Sequence, residues 1–145
     1  MKISTKGRYA LRMLIDLAEH REDGYITLKE IADRQDISKK YLEQIVPLLN
    51  RTGILQANRG FQGGYRLAKP TEQCTVGEIL RLTEGDLAPV SCLTKNAEKC
   101  PQYAECSTIS VWEGLQRVIN EYLDGITLQD LLDKKQKGYP DDYII

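Results

Sequence analysis

Apolar residues recur at helical spacing from Thr5 to about Glu22, where Tyr9, Met13, Leu14, Leu17 and Ala18 share one face. Asp23-Gly24 ends that predicted helix. Thr27 is followed three residues later by Glu30, a capping box that starts a second helix through Ile31 and Ala32 to about Arg34. Gln35-Asp36-Ile37 reads as a turn, and Ser38 caps a third helix beginning Lys39-Lys40-Tyr41-Leu42-Glu43-Gln44. Pro47 has no N–H and suits the first turn of a helix, so the segment is split there. A short helix then covers Leu48 to Thr52, ended by Gly53. Ile54–Asn58 and Tyr65–Ala68 read as strands around the Gly-rich turn Arg59–Gly64, a hairpin.

Two short helices joined by a tight turn make a helix-turn-helix. The second such helix normally enters the major groove of DNA with its N-terminal residues at the base edges. Here that end carries Ser38, Lys39, Lys40, Tyr41, Glu43 and Gln44. Leu42 and Ile45 are expected to pack inward. Taken alone, RGFQGG is only a hairpin turn; straight after a helix-turn-helix it is a wing. Gly60 and Gly63 allow a tight tip, and Arg59 is placed to reach phosphate or a narrow minor groove.

Lys69-Pro70 closes the N-terminal unit. Thr75 and Glu78 form a further capping box before a short helix with Ile79, Leu80 and Leu82. Gly85 to about Glu105 has little periodicity, and a loop this long in a small protein is usually functional. A long helix follows from about Ser107 to Tyr122 or Leu123, with Ile109, Trp112, Leu115, Ile119 and Leu123 as its apolar stripe. Thr127 to Asp130 caps a last short helix. The fold class expected is mainly α with a small β-hairpin wing: a winged helix-turn-helix domain over 1–70, a short helix and cysteine loop over 71–106, a dimerisation helix and terminal helix over 107–136, and a polar tail over 137–145. The long amphipathic helix is expected to pair with a second copy, which suits the two-fold symmetry of DNA operators. The alternative is that its stripe packs within one chain.

Charge divides along the chain. Residues 1–70 carry 13 Lys and Arg against 8 Asp and Glu, a net of +5, while residues 71–145 carry 7 against 13, a net of −6. A basic half suits a polyanion, although chance segregation produces the same pattern. No apolar run approaches the roughly 20 residues of a membrane span. The basic start lacks the apolar middle and cleavage site of a signal peptide, so a cytoplasmic protein without membrane contact is expected. No Ser/His/Asp set or paired-carboxylate motif points to an enzyme.

Of four cysteines, Cys92, Cys100 and Cys106 cluster in the loop. Their spacing is not the CxxC…CxxC of a zinc ribbon. Three thiolates can converge on zinc, copper(I) or an iron–sulfur cluster, or they can act as redox thiols without metal. His20, the sole histidine, is expected at the surface and not as a fourth ligand. Cys74 precedes an apolar helix and reads as packing.

MKISTKGRYALRML, SKKYLEQI, RGFQGGYRLAKP, TVGEIL and ITLQDLL, in that order, resemble the IscR-type winged-helix regulators, relatives of the nitric-oxide sensor NsrR and the cysteine-metabolism repressor CymR. The resemblance covers nearly the whole chain. It implies a homodimeric repressor that binds a double-stranded DNA operator, senses iron–sulfur status and controls cluster-assembly genes, with cluster-assembly proteins as further partners. It implies a [2Fe–2S] cluster, with [4Fe–4S] as the alternative, on Cys92, Cys100 and Cys106. Such a cluster is oxygen-labile and is lost in aerobic preparations. CymR-like members lack the three-cysteine loop. The fourth ligand departs from the family. Where IscR has a histidine this chain has Ile109, and where NsrR uses an acidic residue of the partner subunit it has Arg8. The resemblance also gives Glu43 and Arg59 a part in operator choice; Thr27, at the start of the second helix, is a further expected DNA contact. Glu43 could instead pair with Lys39 or Lys40 along the helix. Other readings are a nitric-oxide, redox or cysteine-metabolism repressor on the same scaffold, a small iron–sulfur carrier or electron-transfer protein, and a zinc-stabilised interaction module.

Overall fold

The computed structural model describes residues 2–98 and 100–138. Its order is α1 (Thr5–Glu19), α2 (Leu28–Gln35), α3 (Lys39–Leu49), β1 (Leu55–Asn58), β2 (Gly64–Leu67), α4 (Val76–Glu84), α5 (Ile109–Asp124) and α6 (Leu128–Lys137). Short 3-10 turns fill several connections. From residue 139 onward the expected polar tail lies outside the described residues. No helix among the described residues is long and apolar enough to cross a membrane.

Helix α1 is the central post. Its face of Ala10, Met13, Leu14 and Leu17 is buried in one cluster with Ile31 of α2, Leu42, Ile45 and Leu49 of α3, Leu67 of β2, Ile79 of α4 and Leu128 and Leu132 of α6. The terminal helix therefore packs on the core of the N-terminal unit. A second, smaller cluster holds Val76, Leu80 and Leu87, with Ile119 and Leu123 of α5 packed against it. Arg81 makes a two-pronged ion pair with Asp124 at 2.7 and 2.9 Å and reaches Asn120 at 2.8 Å. These contacts fix the C-terminal end of α5 to α4.

The capping signals act locally. Ser4 caps α1, Ser38 caps α3, and Thr27–Glu30 and Thr127–Asp130 form full capping boxes. The box expected at Thr75 is half made. Thr75 accepts from the Glu78 amide, but the Glu78 carboxylate is drawn away to Lys69 Nζ at 3.2 Å. Helix α1 ends at Glu19, short of the expected Glu22, because His20 caps it and Arg21–Asp23 tighten into a 3-10 turn. Helix α3 runs through Pro47 instead of breaking there. Leu42, Ile45, Val46 and Leu49 continue one buried face across the proline, and Pro47 itself is exposed, so the carbonyl it leaves unpaired is on the wet side. A 3-10 turn over Asn50–Thr52 replaces the separate short helix.

The hairpin pairs Leu55 with Leu67, Gln56 with Arg66, Ala57 with Tyr65 and Asn58 with Gly64. Ile26 joins as a third, one-residue strand, exchanging two 2.8 Å hydrogen bonds with Tyr65. That approach needs Gly64: its φ is +143°, and a Cβ there would lie 2.4 Å from the Ile26 carbonyl oxygen. The sequence reading omitted this strand because a single residue carries no periodicity.

One buried carboxylate ties α1 to the helix-turn-helix. Asp16 is 1% exposed. It accepts from Arg34 Nε at 3.0 Å, Arg34 Nη2 at 2.7 Å and Gln35 Nε2 at 3.1 Å. Burial pushes its pKa up, but the hydrogen bonds from Arg34 and Gln35 and the Arg34 charge outweigh burial and hold it below the usual value. Asp16→Asn should cost about 2–3 kcal/mol of folding stability, the worth of hydrogen bonds to a charged group. A depressed folded-state pKa stabilises fully above the unfolded value of about 3.9 and is lost as pH falls through the folded value. Denaturant titrations should therefore show wild-type stability falling more steeply than that of Asp16→Asn below about pH 4.

Candidate nucleic-acid interface and cysteine loop

The N-terminal end of α3 and the wing face each other across a groove of about 770 Å³. Lys39, Thr27 and Lys29 line one side, and Asn58, Arg59, Gly60 and Gly63 line the other. Ser38, Lys39, Lys40, Glu43, Gln44 and Arg59 are exposed. The Ser38 hydroxyl accepts from the Tyr41 amide at 3.3 Å, which leaves its proton for an outside acceptor. Thr27 accepts from the Glu30 amide at 3.2 Å in the same way, and its hydroxyl proton goes to the Glu30 carboxylate at 3.1 Å. Tyr41 is half-buried and stacks edge-on against Tyr9, with ring centroids 5.5 Å apart. Its ring therefore braces the start of α3 against α1. Among the described residues Glu43 makes no salt bridge with Lys39 or Lys40, so its carboxylate is presented outward.

The loop between α4 and α5 is ordered by its own polar contacts. Asp86 accepts from the amides of Ala88 at 2.6 Å and Lys95 at 2.7 Å. Gln116 of α5 donates to the Leu93 carbonyl at 3.2 Å, and the Tyr103 hydroxyl donates to Glu113 of α5 at 2.9 Å. Cys92 is exposed inside the 3-10 turn Ser91–Leu93, and Cys106 ends the turn Tyr103–Glu105. Cys100 is half-buried. The Thr108 hydroxyl, 3.6 Å from Cys106 Sγ, lowers the pKa of that thiol, with help from the Thr108 and Ile109 backbone amides.

Three accessible thiols are a soft donor set, and their chemistry fits an iron–sulfur centre. Their arrangement does not form one: among the described residues no three Cys, His, Asp or Glu groups lie together as a metal site. Each of the flanking cysteines is held by its own local turn, so the loop must close to bring the three together. His20 is half-buried and its Nδ1 lies 2.9 Å from the Asp16 carbonyl, so it belongs to the end of α1 and not to the loop. Cys74 is fully buried with Sγ 3.5 Å from the Pro70 carbonyl, and burial raises its pKa.

The apolar stripe read on α5 divides in two. Ile119 and Leu123 pack on α4 in the same chain. Val111, Leu115, Val118 and Tyr122 remain 58, 41, 55 and 67% exposed. Their offsets of four, three and four residues make a coiled-coil-like seam. The sequence reading found Leu115 but missed the other three, because it followed the residues that α4 claims.

The profile of the Rrf2 family, described as an iron-dependent transcriptional regulator, matches residues 3–134. The chain belongs to the Rrf2 family. It is similar to Protein rrf2 of Nitratidesulfovibrio vulgaris, 38% identical over 132 residues that cover 91% of this chain and 87% of that protein. It is similar to the HTH-type transcriptional regulator CymR of Bacillus subtilis, 37% identical over 142 residues, 96% of this chain and 97% of that one. Among solved structures it resembles T. potens IscR with a TM-score of 0.71 and 35% identity, covering 100% of this chain and 97% of the other. This Rrf2 protein is thus a DNA-binding transcriptional regulator of the winged-helix class and not an enzyme.

On a labelled duplex, Lys39→Ala and Arg59→Ala should each lower the slope of log affinity against log salt by about 0.9, the value for one lost phosphate contact. Glu43→Gln removes no cation and should leave that slope at or above the wild-type value while changing base preference. Anisotropy titrations across a salt series check both.

Proposed function

We propose that this Rrf2 protein is a cytoplasmic, homodimeric repressor that reads iron–sulfur status through Cys92, Cys100 and Cys106. The observation that carries the reading is that three accessible thiols stand on a loop hydrogen-bonded twice to α5, the helix whose outer seam is left exposed among the described residues. Residues 1–70 act as the DNA-binding unit, 71–106 as the sensing segment and 107–136 as the dimerising segment.

Each residue group has a definable task. Lys39, Lys40 and Arg59 neutralise phosphates, with the Ser38 hydroxyl as a neutral donor. Gln44 can bond adenine, and Glu43 can accept from cytosine N4 and rejects the acceptor edge of guanine. Val111, Leu115, Val118 and Tyr122 meet their copies across a two-fold axis, which places two α3 helices for two operator half-sites. When bound, a [2Fe–2S] or [4Fe–4S] cluster would supply a redox-sensitive cross-link among the three thiolates. Drawing Cys92 and Cys106 together shifts the turns that hold them. Gln116 and Glu113 then carry the shift to α5, and the Arg81–Asp124 pair carries it to α4 and the core of the DNA-binding unit. The change alters operator preference only to the extent that the closed loop favours one α5 arrangement over another.

Ile109 cannot ligate and Arg8 is a cation, so the fourth ligand is a different group from the one IscR or NsrR uses. The similarity to CymR keeps cysteine metabolism as the second reading, and the lowered Cys106 pKa suits a redox thiol.

Anaerobic incubation with iron and sulfide tests the choice. The iron–sulfur reading expects visible absorption with bound iron and sulfide, lost in Cys92→Ala, Cys100→Ala and Cys106→Ala and unchanged in Cys74→Ala. A wild type that stays colourless and iron-free contradicts it. Leu115→Asp should convert a dimer to a monomer in sedimentation and weaken operator binding by at least ten-fold, because a charge then sits in the seam.

A further inference from the structure

The wing tip carries a side chain that neither phosphate contact nor base reading by α3 uses. Phe61 is the only phenylalanine in the chain and is 95% exposed. Among the described residues, the other exposed large apolar side chains all belong to the α5 seam. Phe61 stands alone, so it is not part of an apolar patch of the size that marks a protein-binding surface.

The tip is built to hold this ring outward. The Gly63 amide donates to the Gly60 carbonyl at 3.0 Å and closes the turn. Gln62 adopts a left-handed φ of +63°, unusual for a residue with a side chain. A Cβ on Gly63 would lie 2.5 Å from the Asn58 carbonyl oxygen, so the turn can close this tightly only with glycine there. Phe61 also stands at the edge of the groove that Lys39, Lys29 and Arg59 line. An exposed apolar ring flanked by cations suits a surface with phosphates outside and stacked aromatic bases inside.

We propose that Phe61 is an apolar wedge that enters the DNA minor groove beside Arg59 and reads how easily a base step opens. This rests on the DNA-binding reading of the wing and adds a specificity residue to it. Wedge side chains partly unstack a step and kink the duplex. Pyrimidine–purine steps unstack easily, whereas A-tracts are stiff. Phe61 therefore favours a flexible step under the wing, at a position where α3 makes no base contact. Arg59 supplies the charge and Phe61 the preference.

The test uses the whole 145-residue chain and a duplex pool with a randomised centre. Wild type, Phe61→Ala and Phe61→Leu select from the pool in parallel. The proposal expects wild type to enrich a TA or CA step at the flank of each half-site. Phe61→Ala loses that enrichment and keeps the α3-read positions, and Phe61→Leu keeps both. On a single selected duplex, Phe61→Ala should bind about ten-fold more weakly than wild type, the cost of one mismatched position, with an unchanged salt slope. Replacing the flexible step by an A-tract should cost wild type a similar factor and Phe61→Ala less than two-fold. Identical selected sequences for wild type and Phe61→Ala, or an equal loss on flexible and stiff duplexes, overturns the proposal. If wild type enriches nothing while remaining folded and dimeric, the DNA-binding reading falls and this inference with it.

Discussion

The helix-turn-helix, the hairpin and helices α4 and α6 are all positioned by the burial of one face of α1. Helices α2, α3, α4 and α6 and strand β2 all place side chains in the cluster around Ala10, Met13, Leu14 and Leu17. Hydrophobic burial is not directional, so by itself it would hold α2 against α1 without fixing its angle. Asp16 supplies that direction. Its two oxygens take three hydrogen bonds from Arg34 and Gln35, the last residues of α2, just before the turn into α3. Arg12 extends the same join by donating to the Gln35 backbone carbonyl. The orientation of α3 is thus set by a polar network on its neighbour α2, and in the proposed DNA-binding mode the bases within its reach follow from that.

The second constraint is what α5 must do with two apolar faces. Ile119 and Leu123 spend one face on α4, and Val111, Leu115, Val118 and Tyr122 present the other outward. A helix so divided has one face in the chain's own core and leaves the other open to the second copy proposed above. The cysteine loop is attached to this helix by Gln116 and by Tyr103, and no cysteine lies in the DNA-binding unit ahead of Cys74. A change in the loop therefore meets α5 first. That order gives the proposed signal a mechanical route: loop, α5, α4, α1 and then α3.

What the sequence revealed was whatever rests on local chemistry. Thr27 with Glu30 and Thr127 with Asp130 close their capping boxes because each needs only three residues of chain. The hairpin follows from the Gly-rich turn that joins its two strands. What escaped reading depends on distant partners. Lys69 takes the carboxylate that Thr75 was expected to share. Pro47 sits inside α3 because four buried residues around it outweigh one unpaired carbonyl on the wet side. Ile26 becomes a strand only because Gly64 lets it approach. The seam on α5 was misassigned because periodicity counts apolar positions without saying which neighbour covers them. The cysteine spacing pointed to a soft donor set, and the fold holds Cys92 and Cys106 in separate turns.

In the proposed mechanism the state of the cysteine loop decides which DNA sequence the two α3 helices of a dimer prefer. The direct measurement is parallel selection from one randomised duplex pool by the same anaerobic protein before and after reconstitution with iron and sulfide, with affinities then taken on the enriched duplexes. Two distinguishable sequence preferences are expected, and Cys92→Ala should show only the first whatever its treatment. Identical preferences and equal affinities for the two forms, with iron and sulfide verified on the reconstituted one, would contradict it.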